Sequence, residues 1–366
     1  MQIYREQAFQ KLKPHVLENG QRGPFVDMPL QVMNRIQRGT MYHHWKGVMC
    51  NKNPFDLTLY AQLLWELKPR TIIEIGYKFG GSALWFADQA DAMGLDTRLF
   101  CIDVEQREQY SDPRITFVEG NGRDLGKTLT DEVIAELPKP WLIVEDADHH
   151  YTTCLKVLEF FAPRMQAGDY LCMEDGLADT SGNAWKGEGG PNRALYDFFA
   201  AYPHIYEVDA HYCDYFGNNV TWCTNGWLRR GSVKAPEKVD TLAQLEHDGI
   251  SATKLNSTEE TVVAAAEWSL KMGDFRGAIV RLTQLAESSE AAHPHVEAIL
   301  AAAKSMQKIA KSDPSAEVAK PEAPASVAAD PASAQNDPKP VHADATIEQR
   351  EAESLPERIL KKLRGN

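Results

Sequence analysis

The sequence has no C-x-x-C pair, no run near the roughly 18 apolar residues of a membrane span, and no basic N-terminal patch leading into an apolar stretch. Metal-thiolate frameworks, transmembrane helices and secretory signals are therefore not expected. Six cysteines (Cys50, Cys101, Cys154, Cys172, Cys213 and Cys223) are scattered, several inside apolar strand-like runs where a reduced thiol packs as a small hydrophobe. A reducing, cytoplasmic setting is expected. Positive charge is also short: 39 Lys and Arg against 52 Asp and Glu give a formal net charge of −13. Such a surface repels nucleic-acid phosphates and anionic lipid headgroups, which points to a small-molecule partner and away from nucleic acid.

What is present is a run of buried-type strands. "TIIEIG" (71 to 76), "RLFCID" (98 to 103), "ITFVEG" (115 to 120), "WLIVED" (141 to 146) and "DYLCMED" (169 to 175) are mostly continuous in apolar character and separated by longer, partly helical stretches. Continuous apolarity means burial on both faces, hence parallel strands covered by helices: a doubly wound, Rossmann-like α/β sheet spanning about 70 to 232. Residues 205 to 212 and 218 to 230 alternate more and suit an antiparallel edge pair.

Residues 1 to 69 read as a helical segment, clearest in "FDLTLYAQLLWEL" (55 to 67) and closed by Pro69. A helical module is expected over 255 to 311, opened by a Ser257 and Glu260 capping box, with later helices after Asp274 and His293. Segment 312 to 345 has six prolines and no Phe, Tyr, Trp, Leu or Ile, so it reads as a disordered linker. The end, 346 to 366, reads as a short basic amphipathic helix suited to docking on a protein partner or weakly on an anionic membrane.

Two clusters carry chemistry. "EIGYKFGGSA" (74 to 83) is a strand end, a glycine turn at Gly76, Gly80 and Gly81, and a helix start at Ser82. It departs from the dinucleotide pattern, because Lys78 stands where the second glycine of G-x-G-x-x-G belongs. Glu74 can pair with an ammonium while backbone N–H groups meet a carboxylate, which suits an amino-acid-like ligand. Asp103 ends the second strand 27 residues after Gly76, at the place of a ribose-binding acid, and Gly120 and Asn121 can border an adenine. A ligand with those three parts is S-adenosylmethionine.

The second cluster is acidic. Asp146 and Asp148 follow the fourth strand, and Glu174 and Asp175 the fifth, so all four fall on the carboxyl edge that holds the glycine turn. Two carboxylates about 4 Å apart repel by roughly 4 kcal/mol at an effective dielectric near 20. A divalent cation with oxygen ligands, magnesium above all, removes that repulsion. Solvent-facing helix caps are the plain alternative for these acids. His149 is the candidate general base, with His150 and Tyr151 behind it, Asp148 as a second catalytic candidate, and Asp146 at the cofactor or orienting the base. His43, His44 and Lys52 precede the sheet and are candidates for the acceptor pocket.

"WKGVMCNKNPFDLTLYAQLLWELKPRTIIEIGYKFGGSALWFADQ", "IVEDADHHY", "GDYLCMEDG" and "NNVTWCTNGWLRR" together resemble the rhamnosyl O-methyltransferase and cephalosporin hydroxylase-like family over about residues 40 to 230. The resemblance implies a class I methyltransferase fold, S-adenosylmethionine with magnesium, and O-methylation of a hydroxyl on a sugar or other polyhydroxylated acceptor. It places the metal on Asp148, Glu174 and Asp175, and the methionine end of the cofactor on Glu74, Gly76 and Gly80 to Ser82. The alternatives are an oxidative hydroxylase, an NAD-dependent oxidoreductase, or a degenerate methyltransferase acting as an interaction protein. A homo-oligomer is compatible with all of them.

Overall fold

The computed structural model describes residues 26–28, 30–108, 110–177, 190–249, 263, 266, 275–288 and 294–312. Helix α1 (Leu30–Thr40) comes first, followed by a two-stranded hairpin pairing His44–Trp45 with Val48–Met49. That hairpin interrupts the helical reading of 1 to 69. Helix α2 (Pro54–Leu67) starts where the sequence provides a start: the Asn53 side chain accepts from the Asp56 amide, Pro54 occupies the first turn, and Lys68 ends the helix in the left-handed conformation. Its Leu59, Tyr60, Leu63 and Leu64 are buried in the same core as the sheet, so α2 is part of the catalytic unit.

The seven sheet strands are β1 (Thr71–Ile75), β2 (Arg98–Asp103), β3 (Ile115–Glu119), β4 (Trp141–Glu145), β5 (Tyr170–Met173), β6 (Tyr206–Val208) and β7 (Trp227–Arg230). They lie in the order β3-β2-β1-β4-β5-β7-β6, the first five parallel and β7 antiparallel to both β5 and β6. This is the doubly wound α/β arrangement expected from the apolar runs, and every β1 residue is buried because helices cover both faces. Ile73 and Ile75 face one core with Phe100, Ile102 and Ile143; Ile72 faces the other with Leu99, Leu142 and Cys172. The period of two also puts Glu74 on the Ile72 face and Glu145 on the Ile143 face.

Helix α3 (Gly81–Ala92) follows β1, α4 (Asp131–Ala135) and α5 (Tyr151–Phe161) flank β4, α6 (Pro191–Ala201) follows β5, and α7 (Ala210–Cys213) and α8 (Thr241–His247) lie either side of β7. Beyond them, α9 (Phe275–Ser288) and α10 (Pro294–Ser312) share a small separate core of Leu282, Leu285, Val296 and Ile299. The Ser257 capping box, the linker and the terminal helix lie outside the described residues. All six cysteines are buried and none forms a disulfide. No helix of the described residues is long and apolar enough to cross a membrane.

Candidate active site

The chain steps outward from β1 through β2 to β3 and then crosses back to set β4 on the other side of β1, and the ligand crevice of such a sheet forms outside this switch point. A cavity of about 610 Å³ lies there, within the usual range for small-molecule sites. Gly76 makes the opening geometrically possible. Its φ is +89°, and a Cβ on it would stand 2.2 Å from the Asp146 carbonyl oxygen. The Asp146 amide, in turn, donates to the Ile75 carbonyl at 2.8 Å, so the ends of β1 and β4 touch through backbone alone.

The candidate cofactor residues divide into two groups. Gly76, Ser82, Asp103, Gly120, Asn121 and Asp146 line the cavity. Asp103 accepts from the Lys78 amide at 2.8 Å, which ties the glycine turn to the end of β2, and Asn121 caps the turn after β3 by accepting from the Arg123 amide. Glu74, Gly80 and Gly81 stand behind this wall: Gly80 caps α3 in the left-handed conformation, and Gly81 packs against the Met49 carbonyl. Glu74 is fully buried, and its Oε1 has no hydrogen-bond partner. Burial pushes its carboxyl up to about 7, against the charge of Lys52 and the hydroxyl of Ser82.

The acidic residues separate in a way the sequence does not disclose. Asp146, His149 and Asp175 gather with one ligand atom each, all within 4.8 Å of one another. His149 Nε2 is 3.2 Å from Asp175 Oδ2 and 3.8 Å from Asp146 Oδ1. Both His149 (φ +56°) and Asp175 (φ +55°) hold the left-handed backbone, a strained setting for non-glycine residues that aims both side chains into the cavity. Burial opposes the imidazolium most strongly, yet Asp175 and then Asp146, Glu145 and Glu174 outweigh it, so the His149 pKa is raised.

Asp148 and Glu174 also line the cavity, but neither joins that group. Asp148 is engaged by Arg123 at 3.0 Å and by the His150 amide at 3.1 Å. Glu174 accepts from Lys52 Nζ at 2.7 Å and from the Tyr60 hydroxyl at 2.5 Å. The set Asp148, Glu174 and Asp175 is thus spread around one cavity, while Asp146 takes the place beside Asp175. Burial raises the pKa of both Glu174 and Asp175, with neighbouring carboxylates adding to it and Lys52 and His149 opposing.

Lys52 is the largest surprise of the site. It is buried, and its ammonium also reaches Asp146 at 2.5 Å. Burial is the main force against its charge, but Asp146, Glu174 and Glu74 outweigh it and hold the pKa well above the ordinary value. His43 and His44 do not line the cavity. The wall nearest α1 is formed by Gln37, Thr40, Met41, Asn51 and Trp222, with the Trp222 indole donating to Gln37 Oε1 at 2.6 Å. Asp56, another buried carboxylate, fixes this wall by accepting from the Trp222 amide and the Thr221 hydroxyl. Nothing in the sequence signals its reach to residue 222.

Residues 38–231 match the model of the family described as Rhamnosyl O-methyltransferase/CmcI. The chain belongs to this family. Its enzyme class is accordingly that of the O-methyltransferases, which displaces the dehydrogenase reading. The family member from Mycobacterium leprae (strain TN), named rhamnosyl O-methyltransferase, is 29% identical over 192 residues, covering 51% of this chain and 82% of its own. The protein of that name from Mycobacterium tuberculosis (strain ATCC 25618 / H37Rv) is 28% identical over 210 residues, covering 52% and 83%. A solved CmcI structure with magnesium and S-adenosylmethionine overlays with a TM-score of 0.44 at 27% identity, covering 60% of this chain and 89% of that one.

Proposed function

We propose that this family member transfers the methyl group of S-adenosylmethionine to a hydroxyl of a neutral sugar-type acceptor, with magnesium at the acidic cluster. The observation that carries this reading is the meeting, across one cavity, of the Gly76 to Asp103 wall with the group Asp146, His149 and Asp175.

The residues fit both groups. Cavity-lining Asp103, with Gly120 and Asn121 beside it, would meet the ribose, and Glu74 Oε1 is a buried acceptor without a hydrogen-bond partner behind the glycine turn. Asp146 and Asp175, with Glu174 adjacent, are the carboxylates that would hold magnesium, whose ligands are oxygen. The raised pKa values of Glu174 and Asp175 reflect the repulsion and desolvation that a cation would relieve. Asp148, committed to Arg123, serves instead to hold that arginine at the rim. The cavity cluster has a single histidine, whereas a non-heme iron oxygenase centre uses two, which counts against the hydroxylase alternative.

When bound, S-adenosylmethionine supplies an electrophilic methyl and magnesium supplies stabilisation of a developing alkoxide. The chain supplies orientation and a proton acceptor. Gly76, Asp103 and Asn121 fix one end of the in-line displacement, and His149 is the candidate acceptor of the hydroxyl proton: its Nε2 faces Asp146 and Asp175, whose charge favours the imidazolium, so those carboxylates would have to be engaged by a cation before that nitrogen could act as a base. The α1 wall, formed by Gln37, Thr40, Met41, Asn51 and Trp222, carries no charged side chain and pairs two amides and a hydroxyl with apolar surface. That mixture matches a sugar face better than an anionic acceptor. Methyl transfer from labelled S-adenosylmethionine to rhamnosides and other deoxyglycosides, with and without chelator, tests the proposal. Activity on anionic acceptors alone would refute the acceptor class, and full activity in chelator would refute the role of magnesium.

A further inference from the structure

Lys52 comes from the loop between the hairpin and α2, outside the sheet, and does not line the cavity. It reaches the acids from behind. One ammonium bonds Asp146 Oδ2, at the end of β4, and Glu174 Oε1, just past β5. Glu174 Oε1 takes a second bond from Tyr60 on α2, whose ring is wedged between Phe86 and Trp227 at centroid distances of 5.0 and 4.8 Å. Each carboxylate therefore has one oxygen anchored to the N-terminal layer, and the other Asp146 oxygen, Oδ1, is the one directed toward His149.

We propose that Lys52 is a positioning residue: it clamps Asp146 and Glu174 from the rear, so that these carboxylates present fixed oxygens to a divalent cation in the cavity. This rests on the magnesium reading above. A lysine ammonium suits the task because its three donors are arranged around one point charge and can serve two carboxylates at once. The clamp also explains why the segment before α2 belongs to the working enzyme. Lys52, Asn53 and Asp56 lie within five residues and tie, respectively, the acid cluster, the start of α2 and the Trp222 wall.

Positioning and simple neutralisation make opposite predictions. If Lys52 only offset excess negative charge, replacing it by Met would deepen the negative field and tighten magnesium binding. If it positions the ligands, the same change frees both carboxylates and weakens binding. The test is titration of MgCl2 into the full chain saturated with S-adenosylhomocysteine, by calorimetry, for wild type, Lys52→Met, Lys52→Arg and Tyr60→Phe. The clamp predicts at least a tenfold larger Mg2+ dissociation constant for Lys52→Met, partial recovery in Lys52→Arg, and a smaller loss in Tyr60→Phe, which removes only one of the two bonds to Glu174 Oε1. Unchanged or tighter Mg2+ binding in Lys52→Met overturns the proposal. Should Lys52→Met fail to fold, Tyr60→Phe decides alone, with unchanged affinity overturning it. Wild-type protein that binds neither S-adenosylhomocysteine nor Mg2+ would instead sink the magnesium-dependent reading on which the clamp rests.

Discussion

Two glycines with left-handed backbones separate conformational strain from crowding at the ligand edge. Gly76 (φ +89°) and Gly94 (φ +69°) would each strain an alanine, but a Cβ on Gly94 meets nothing within 4 Å. On Gly76 the same atom would lie 2.2 Å from the Asp146 carbonyl oxygen and 2.5 Å from the Ala147 Cα, backbone atoms that cannot swing aside. Left-handed backbone destabilises a non-glycine residue by about 1 to 2 kcal/mol, and forced overpacking adds about 1 to 3 kcal/mol. Gly94→Ala should therefore lose about 1 to 2 kcal/mol and Gly76→Ala about 2 to 5 kcal/mol. At roughly 2 to 4 °C per kcal/mol for a unit of this size, Gly76→Ala should lower the unfolding midpoint by about 4 to 20 °C. Urea unfolding of both variants, with S-adenosylhomocysteine binding measured on the folded protein, is the assay. Because the displaced backbone is that of Asp146 and Ala147, Gly76→Ala should also weaken binding while Gly94→Ala should not. Equal destabilisation of the two variants would refute the claim that β1 and β4 meet at Gly76.

Other outcomes follow from the same geometry. Asp146→Asn should weaken Mg2+ binding more than Asp148→Asn, since Asp146 stands with Asp175 while Asp148 is paired to Arg123; calorimetry giving the reverse order would restore Asp148 to the metal set. Asp56→Ala removes a buried acceptor from Thr221, Trp222 and Asn53 and should destabilise by about 3 kcal/mol or more, at about 1 to 3 kcal/mol for each buried donor left unsatisfied, with a loss under about 1 kcal/mol in urea unfolding counting against it. Burial raises the Asp56, Glu74 and Glu145 carboxyls to about 7, so their contribution to stability is full below the unfolded value near 4 and is lost as pH rises toward 7. Ligand-free protein should thus unfold at a lower temperature at pH 8 than at pH 5.5, and calorimetry showing the opposite would contradict these burials. Asp88 and Asp112 run the other way. Although burial resists it, Arg114 and, for Asp88, Lys46 and Trp45 hold both below the ordinary range, so Arg114→Ala should cost about 1.5 to 3 kcal/mol at pH 7 and progressively less below pH 4, as urea unfolding at the two pH values would show.

The parallel strands were legible because burial on both faces leaves an uninterrupted apolar run: β2 falls on 98 to 103 as read, and β1, β3 and β4 differ by a single terminal residue. Their convergence on one edge also followed from the fold class, which is why the glycine turn, Asp103 and the acids could be assigned to one site. Which acids meet could not be read. In "EDAD" the Asp146 side chain turns toward Lys52 and His149 while that of Asp148 turns toward Arg123 and the His150 amide, and nothing local signals that split. Lys52, read as a candidate for the acceptor pocket, serves the acids from behind instead, and its role and that of Tyr60 were hidden because a lysine before a helix and a tyrosine on an apolar helical face look alike whether they pack or serve a carboxylate 94 to 122 residues away. The hairpin at 44–49 has two-residue strands, too short to leave a periodic trace.

The most direct measurement is calorimetric binding of S-adenosylhomocysteine to the purified chain, with magnesium and with a chelator, for wild type and Asp175→Asn. The account predicts saturable binding in wild type, a separate magnesium-binding event, and loss of that event alone in Asp175→Asn. No binding of S-adenosylhomocysteine, or magnesium binding that survives Asp175→Asn unchanged, would contradict it.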